Sequence, residues 1–163
     1  MISGLLLSTW LALAAQAAPP PLPYLALDSY PAAARDAIAR AHREAAAHPA
    51  DAQRAGALGT VLQAWEQWDA AHQAYRRAQA LAPAVFEWHY LDAVVLQRQA
   101  RPTDAAARLE AAVKAAPDYL PAQIKLAESL LDAGKLDESQ RLFSAGRING
   151  LLYGPRSQKF GQD

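Results

Sequence analysis

Pro49, Pro83 and Pro117 stand 34 residues apart, and Ala-rich helix formers fill the intervals. Proline cannot continue a helix through its own position, and it biases the preceding residue out of the α region. The chain is therefore expected to turn at each of them. The residues between the prolines repeat in register. Ala55, Leu58, Gly59 and Leu62 are followed by Ala71, Tyr75, Ala78 and Pro83. The same places hold His89, Asp92, Ala93 and Leu96, then Ala105, Leu109, Ala112 and Pro117. A third unit offers Gln123, Leu126, Ala127 and Leu130, then Ser139, Phe143 and Gly146, with Leu151 where proline is due. Ala is the best helix former, and β-branched residues are scarce, which argues against a sheet.

This period, with a small residue after Leu58, Ala at 71 and 105, an aromatic or Leu at 75, 109 and 143, and a closing Pro, resembles the tetratricopeptide repeat. The resemblance covers about residues 52–150. It implies an all-α, right-handed helical solenoid of about three helix pairs plus an N-terminal cap helix. The pattern has a physical reading. Gly59, Ala93 and Ala127 are small where the helices of one unit cross, Ala71 and Ala105 answer them, and Tyr75, Leu109 and Phe143 fill the space between successive units. Helices are expected near 31–47, 52–65, 69–81, 85–98, 103–116, 119–132 and 136–148. The first, with Ala34, Ile38 and Ala41 on its apolar stripe, reads as a lone second helix capping the array. Thr103 is the expected N-cap of the fifth helix, and Gly134 the stop of the sixth. Asp92 stands where Leu is due, so the fourth helix is expected to shift by a residue. Gly146 and Asn149-Gly150 are expected to fray the last helix.

Residues 1–17 differ in kind. Leu5 to Ala15 is apolar and uncharged, and Ala15-Gln16-Ala17 has the form of a secretory cleavage site, although no Lys or Arg precedes Leu5. The segment reads as a signal peptide, with an uncleaved anchor or a buried or chance segment as the alternatives. A Pro-rich linker is expected over 18–30, the repeat domain over 31–150 with units near 52–85, 86–119 and 120–150, and a tail over 151–163. Export makes the location periplasmic or secreted, and membrane contact is expected only if the leader stays uncleaved. In organisation the chain is similar to exported bacterial tetratricopeptide proteins.

With no cysteine, the chain can make no disulfide, thiolate metal site, cysteine nucleophile or acylated anchor. Lys plus Arg and Asp plus Glu both number 16, so the chain lacks the positive footprint of a nucleic-acid binder. His42, His48, His72 and His89 form no metal-ligand spacing and read as solvated or half-buried imidazoles. No G-x-S-x-G and no Gly-rich phosphate loop occurs. No enzyme activity, catalytic residue, metal or cofactor is expected.

The aromatic residues Trp65, Trp68, Trp88 and Tyr75 read as packing between helices. Tyr90 differs, because the resemblance places it on the inner groove that first helices line. The groove places are Gln53, Gly56, Thr60 and Gln63; then Glu87, Tyr90, Val94, Gln97 and Arg98; then Ile124, Glu128, Leu131 and Asp132. Gln63, Tyr90, Val94, Gln97, Ile124, Glu128 and Leu131 are the expected partner-binding set. The basic set with which some relatives clamp a C-terminal carboxylate is missing. An extended or helical peptide carrying apolar and basic groups suits Glu87, Glu128 and Asp132 better. The implied role is a protein–protein interaction scaffold for a partner protein or peptide. Two alternatives stand beside it: a structural unit that self-associates through its C-terminal end, around Leu142, Phe143, Leu151, Leu152 and Tyr153, or a repeat segment of a larger exported protein or enzyme.

Overall fold

The computed structural model describes residues 18–28 and 30–144. They form seven α-helices: α1 Ala32–Ala47, α2 Ala52–Ala64, α3 Trp68–Leu81, α4 Phe86–Arg98, α5 Pro102–Ala115, α6 Leu120–Asp132 and α7 Leu136–Ser144. Each expected helix is present, and no strand occurs among the described residues. The expectations for 145–148, for Gly146 and Asn149-Gly150, for the tail and for residues 1–17 lie outside the described residues.

Consecutive helices pack on one another, giving the pairs α2–α3, α4–α5 and α6–α7 with α1 against α2. α2 also packs on α4, and no second helix of a pair packs as closely on another second helix. With Gln97 of α4 also bonded to Ser129 and Lys125 of α6, the first helices lie on the inside of the bend, and the array is a helical solenoid.

The proline period has a structural cause at each junction. Asp51 N, Val85 N and Tyr119 N donate to His48 O, Ala82 O and Ala116 O at 3.0, 3.2 and 3.1 Å, which is one turn repeated three times. Each proline carbonyl in that turn is taken by a side chain: Arg77 donates to Pro49 O, His89 Nε2 to Pro83 O at 2.8 Å, and Gln123 to Pro117 O. A residue without an N–H thus sits where only its carbonyl is needed.

The turn inside each unit repeats as well. Glu66, Ala100 and Gly134 have φ of 57°, 54° and 77°. Their N–H groups donate to Gln63, Gln97 and Leu131, and the next residues, Gln67, Arg101 and Lys135, donate to Leu62, Leu96 and Leu130. This is the Schellman arrangement, which satisfies two carbonyls at the helix end and requires a left-handed residue. Gly134 ends α6 as expected. Thr103 does not cap α5: Arg101 is the cap residue and Pro102 opens the helix, because a first-turn N–H has no intrahelical acceptor to lose. Asp51 caps α2, accepting from Gln53 N at 2.8 Å and Arg54 N at 3.2 Å.

The small residues mark close approaches. A Cβ on Gly59 would lie 2.6 Å from the ring of Tyr75, so α2 and α3 cross there. A Cβ on Gly56 would lie 2.4 Å from the ring of Trp88. Gly56, expected on the groove surface, is instead buried beneath Trp88 at the contact of α2 with α4.

The Pro-rich stretch expected as a linker packs as a strap. Pro23 is fully buried, and Leu22, Leu25 and Leu27 lie against the core of α1–α4. Arg77, itself buried, fastens the strap by donating to Pro20 O at 2.6 Å while holding Pro49 O. Tyr30 adds a hydrogen bond to Gln67 Oε1. A segment whose prolines fix φ in advance loses little freedom when it lies down on a surface.

Candidate functional site: the inner face of α2, α4 and α6

Two depressions open on the inner face. The first, about 890 Å³, lies over the N-terminal halves of α2 and α4 and the residue before α6. Four aromatic side chains, Phe86, Trp88, Tyr90 and Tyr119, line it. Phe86 stacks on Tyr90 with ring centroids 5.4 Å apart, and Tyr119 meets both edge-on at 4.8 and 5.6 Å. Trp88 forms part of the floor at 5% exposure, backed by Tyr75 at 6.5 Å. Gln53, Thr60 and Glu87 supply polar edges. Tyr119 remains 41% exposed, so this aromatic set is open to solvent. The second depression, about 570 Å³, lies over the C-terminal halves of α4 and α6, with Gln97, Glu128, Leu131 and Asp132 on its walls. Leu131 is 51% exposed.

The expected binding residues divide between these places. Tyr90 lies in the first depression, and Gln97, Glu128 and Leu131 line the second. Gln63, Val94 and Ile124 are half-buried and line neither. Gln63 is engaged inward, accepting from the Tyr75 hydroxyl at 2.8 Å. Gln97 donates to Ser129 Oγ at 2.9 Å and accepts from Lys125 Nζ at 3.1 Å, which ties α4 to α6 at the rim of the second depression. Sequence reasoning missed Tyr119 and Phe86. Both sit at helix starts, beside the junction prolines, outside the inward places that the resemblance implies.

Electrostatics follow from this packing. Burial pushes the Tyr90 hydroxyl above its usual value, helped by the neighbouring Tyr119 and by the charge of Glu128. Burial also pushes Tyr75 up to about 12; the contact with Thr60 opposes the rise and the charge of Asp92 adds to it. Glu87, Glu128 and Asp132 make no ion pair among the described residues.

Asp92 is the unexpected interior group. α4 keeps its register, with Asp92 fully buried at the place where Leu was due. The shift is unnecessary because the carboxylate is satisfied where it stands: His72 Nδ1 lies 2.5 Å from Oδ1, Gln79 Nε2 donates to Oδ2 at 2.9 Å, and Arg108 Nε lies 3.1 Å from Oδ2. His72 and His89 are correspondingly more enclosed than expected, with His89 at 8% exposure. Among the described residues no group of three His, Cys, Asp or Glu could hold a metal ion. No helix there is long and apolar enough to cross a membrane.

Residues 96–149 match the family model of the tetratricopeptide repeat. Over these residues the chain carries the tetratricopeptide repeat. The solved structures agree on its fold. MamA MSR-1 C2 superposes with a TM-score of 0.63 at 18% identity, covering 75% of this chain and 70% of that one. A further MamA crystal structure gives 0.64 at 19% identity, over 80% and 69%. An O-GlcNAc transferase mutant of Thermobaculum terrenum gives 0.50 at 23% identity, over 61% of this chain and 22% of that one. No curated protein matches the sequence significantly. At these identities the likeness is one of tetratricopeptide architecture.

Proposed function

We propose that this tetratricopeptide array is a non-catalytic scaffold that binds a partner protein through the inner face of α2, α4 and α6. The observation that carries the reading is the open aromatic cluster of Phe86, Tyr90 and Tyr119. These rings pack on one another yet leave Tyr119 41% exposed beside a depression of about 890 Å³. Clustered aromatics with a polar tip have the character of interface hot spots. Tyr90→Ala combined with Glu128→Lys is expected to abolish capture of the partner by crosslinking in the native host, read by mass spectrometry, while the melting curve stays close to wild type. Equal capture by both proteins would place the interface elsewhere.

The same reading puts the protein in the cell envelope, in the periplasm or outside the cell, after cleavage at Ala17. Support comes from the apolar run ending in Ala15-Gln16-Ala17. Sequencing the N-terminus of the protein from its host is expected to begin at Ala18; an intact Met1 on cytoplasmic material would end this part of the proposal.

A second reading, self-association through the C-terminal end, is favoured by α7. Leu136 is 60% exposed, and among the described residues α6 is the principal neighbour of α7.

A further inference from the structure

We infer that the inner face recognises an extended segment of another protein that carries one bulky apolar side chain and, three or four residues away, a lysine or arginine. This rests on the reading of the inner face as the binding surface and adds what the partner must look like.

The two depressions differ in chemistry. The first is walled by Phe86, Tyr90 and Tyr119 and suits an apolar or aromatic side chain. The second is walled by Glu128 and Asp132, with no basic side chain on its lining and no ion pair to either carboxylate among the described residues. At its rim Lys125 donates to Gln97 Oε1 at 3.1 Å. Two carboxylates left together at a concave surface attract a cation, and low-dielectric walls strengthen that attraction over its value in open water.

The spacing follows from helix geometry. From Tyr90 to Gln97 along α4 the rise is about 10 Å, and from Tyr119 to Glu128 along α6 about 13 Å, at about 1.5 Å per residue. In a polyproline II segment, side chains three residues apart share a face and lie about 9 Å apart. In a β-strand, side chains four residues apart share a face and lie about 13 Å apart. Both extended forms span the two depressions with one side chain in each.

The test uses the full chain, labelled with ¹⁵N, and blocked Gly/Ser decapeptides holding one Phe and one Arg separated by a varied number of residues. Amide shifts are followed by NMR. Tightest binding is expected at a spacing of three or four, and the Phe/Ala peptide should bind about fivefold more weakly at low salt, as one partly exposed ion pair allows. Added salt should remove that difference. Glu128→Gln with Asp132→Asn should abolish the preference for Arg and keep the dependence on Phe, whereas Tyr119→Ala should weaken every peptide. Inner-face shifts with no preference for Arg, or a best spacing of seven as a helix would give, overturn the two-part ligand and leave the inner-face reading standing. Shifts confined to other surfaces, or none at millimolar peptide, overturn both.

Discussion

Glu66 and Ala100 hold φ of 57° and 54°, where an L side chain crowds its own carbonyl at a cost of about 1–2 kcal/mol. Gly134 fills the equivalent place in the third unit without that cost. Replacing Ala100 by Gly gives back some unfolded-chain entropy, about 0.4–1 kcal/mol. The net expectation for Ala100→Gly is a gain of about 0.5 kcal/mol, read as a higher urea midpoint at unchanged slope. Gly59 answers in the opposite sense: with a Cβ only 2.6 Å from the buried ring of Tyr75, Gly59→Leu should cost about 3 kcal/mol, and an unchanged melting curve would refute the crossing of α2 and α3 there. Tyr75 itself gives a pH signature. Its hydroxyl ionises near 10 in the unfolded chain and about 12 in the folded one. Between those values the unfolded state has lost a proton that the folded state keeps, so stability falls as pH rises through the window. Urea unfolding across pH 10–12 should therefore show the stability difference between wild type and Tyr75→Phe shrinking by about 2 kcal/mol, and a constant difference would mean the hydroxyl is not shielded.

Helices were the most legible elements. Proline at 49, 83 and 117 and the small residues at crossing places carry both the boundaries and the faces, because each acts through its own backbone or its own volume. The strap was illegible for the opposite reason. Its residues have no period, and what binds it is Arg77, 57 residues away from Pro20 along the chain. Asp92 was misjudged likewise, since His72, Gln79 and Arg108 come from two other helices. In the candidate site, Tyr90, Gln97, Glu128 and Leu131 are among the groove places that the family resemblance implies, whereas Phe86 and Tyr119 join them only through the way the junction turns place helix starts side by side. For the strap, Arg77→Ala removes the donor to two carbonyls and should cost about 2–3 kcal/mol. Hydrogen exchange should then rise selectively at Leu22, Leu25 and Leu27; protection unchanged there would show that apolar contact alone holds the segment.

Across the whole molecule, stability runs along the array as a chain of nearest-neighbour contacts. α7 packs chiefly on α6 among the described residues, so amide exchange should be fastest from Leu136 to Ser144 within the repeats. If that end also self-associates, sedimentation should show a concentration-dependent mass, and a monomer throughout would remove the second reading. The polar interior has a consequence for how such an array can be built. His72, Gln79, Asp92 and Arg108 meet at the junction of the first two units, and the residues 34 positions later are Ala106, Val113, Leu126 and Leu142, which lie together in the second apolar cluster. One junction is thus keyed in charge and the next in hydrocarbon. A transposed unit would set Leu126 against His72 and Gln79, or bury Asp92 against Ala106 and Val113, and a buried carboxylate stripped of its partners is strongly destabilising. The units share one shape but are addressed to their neighbours, so a gene that shuffled them would encode the same outline and fail to fold it.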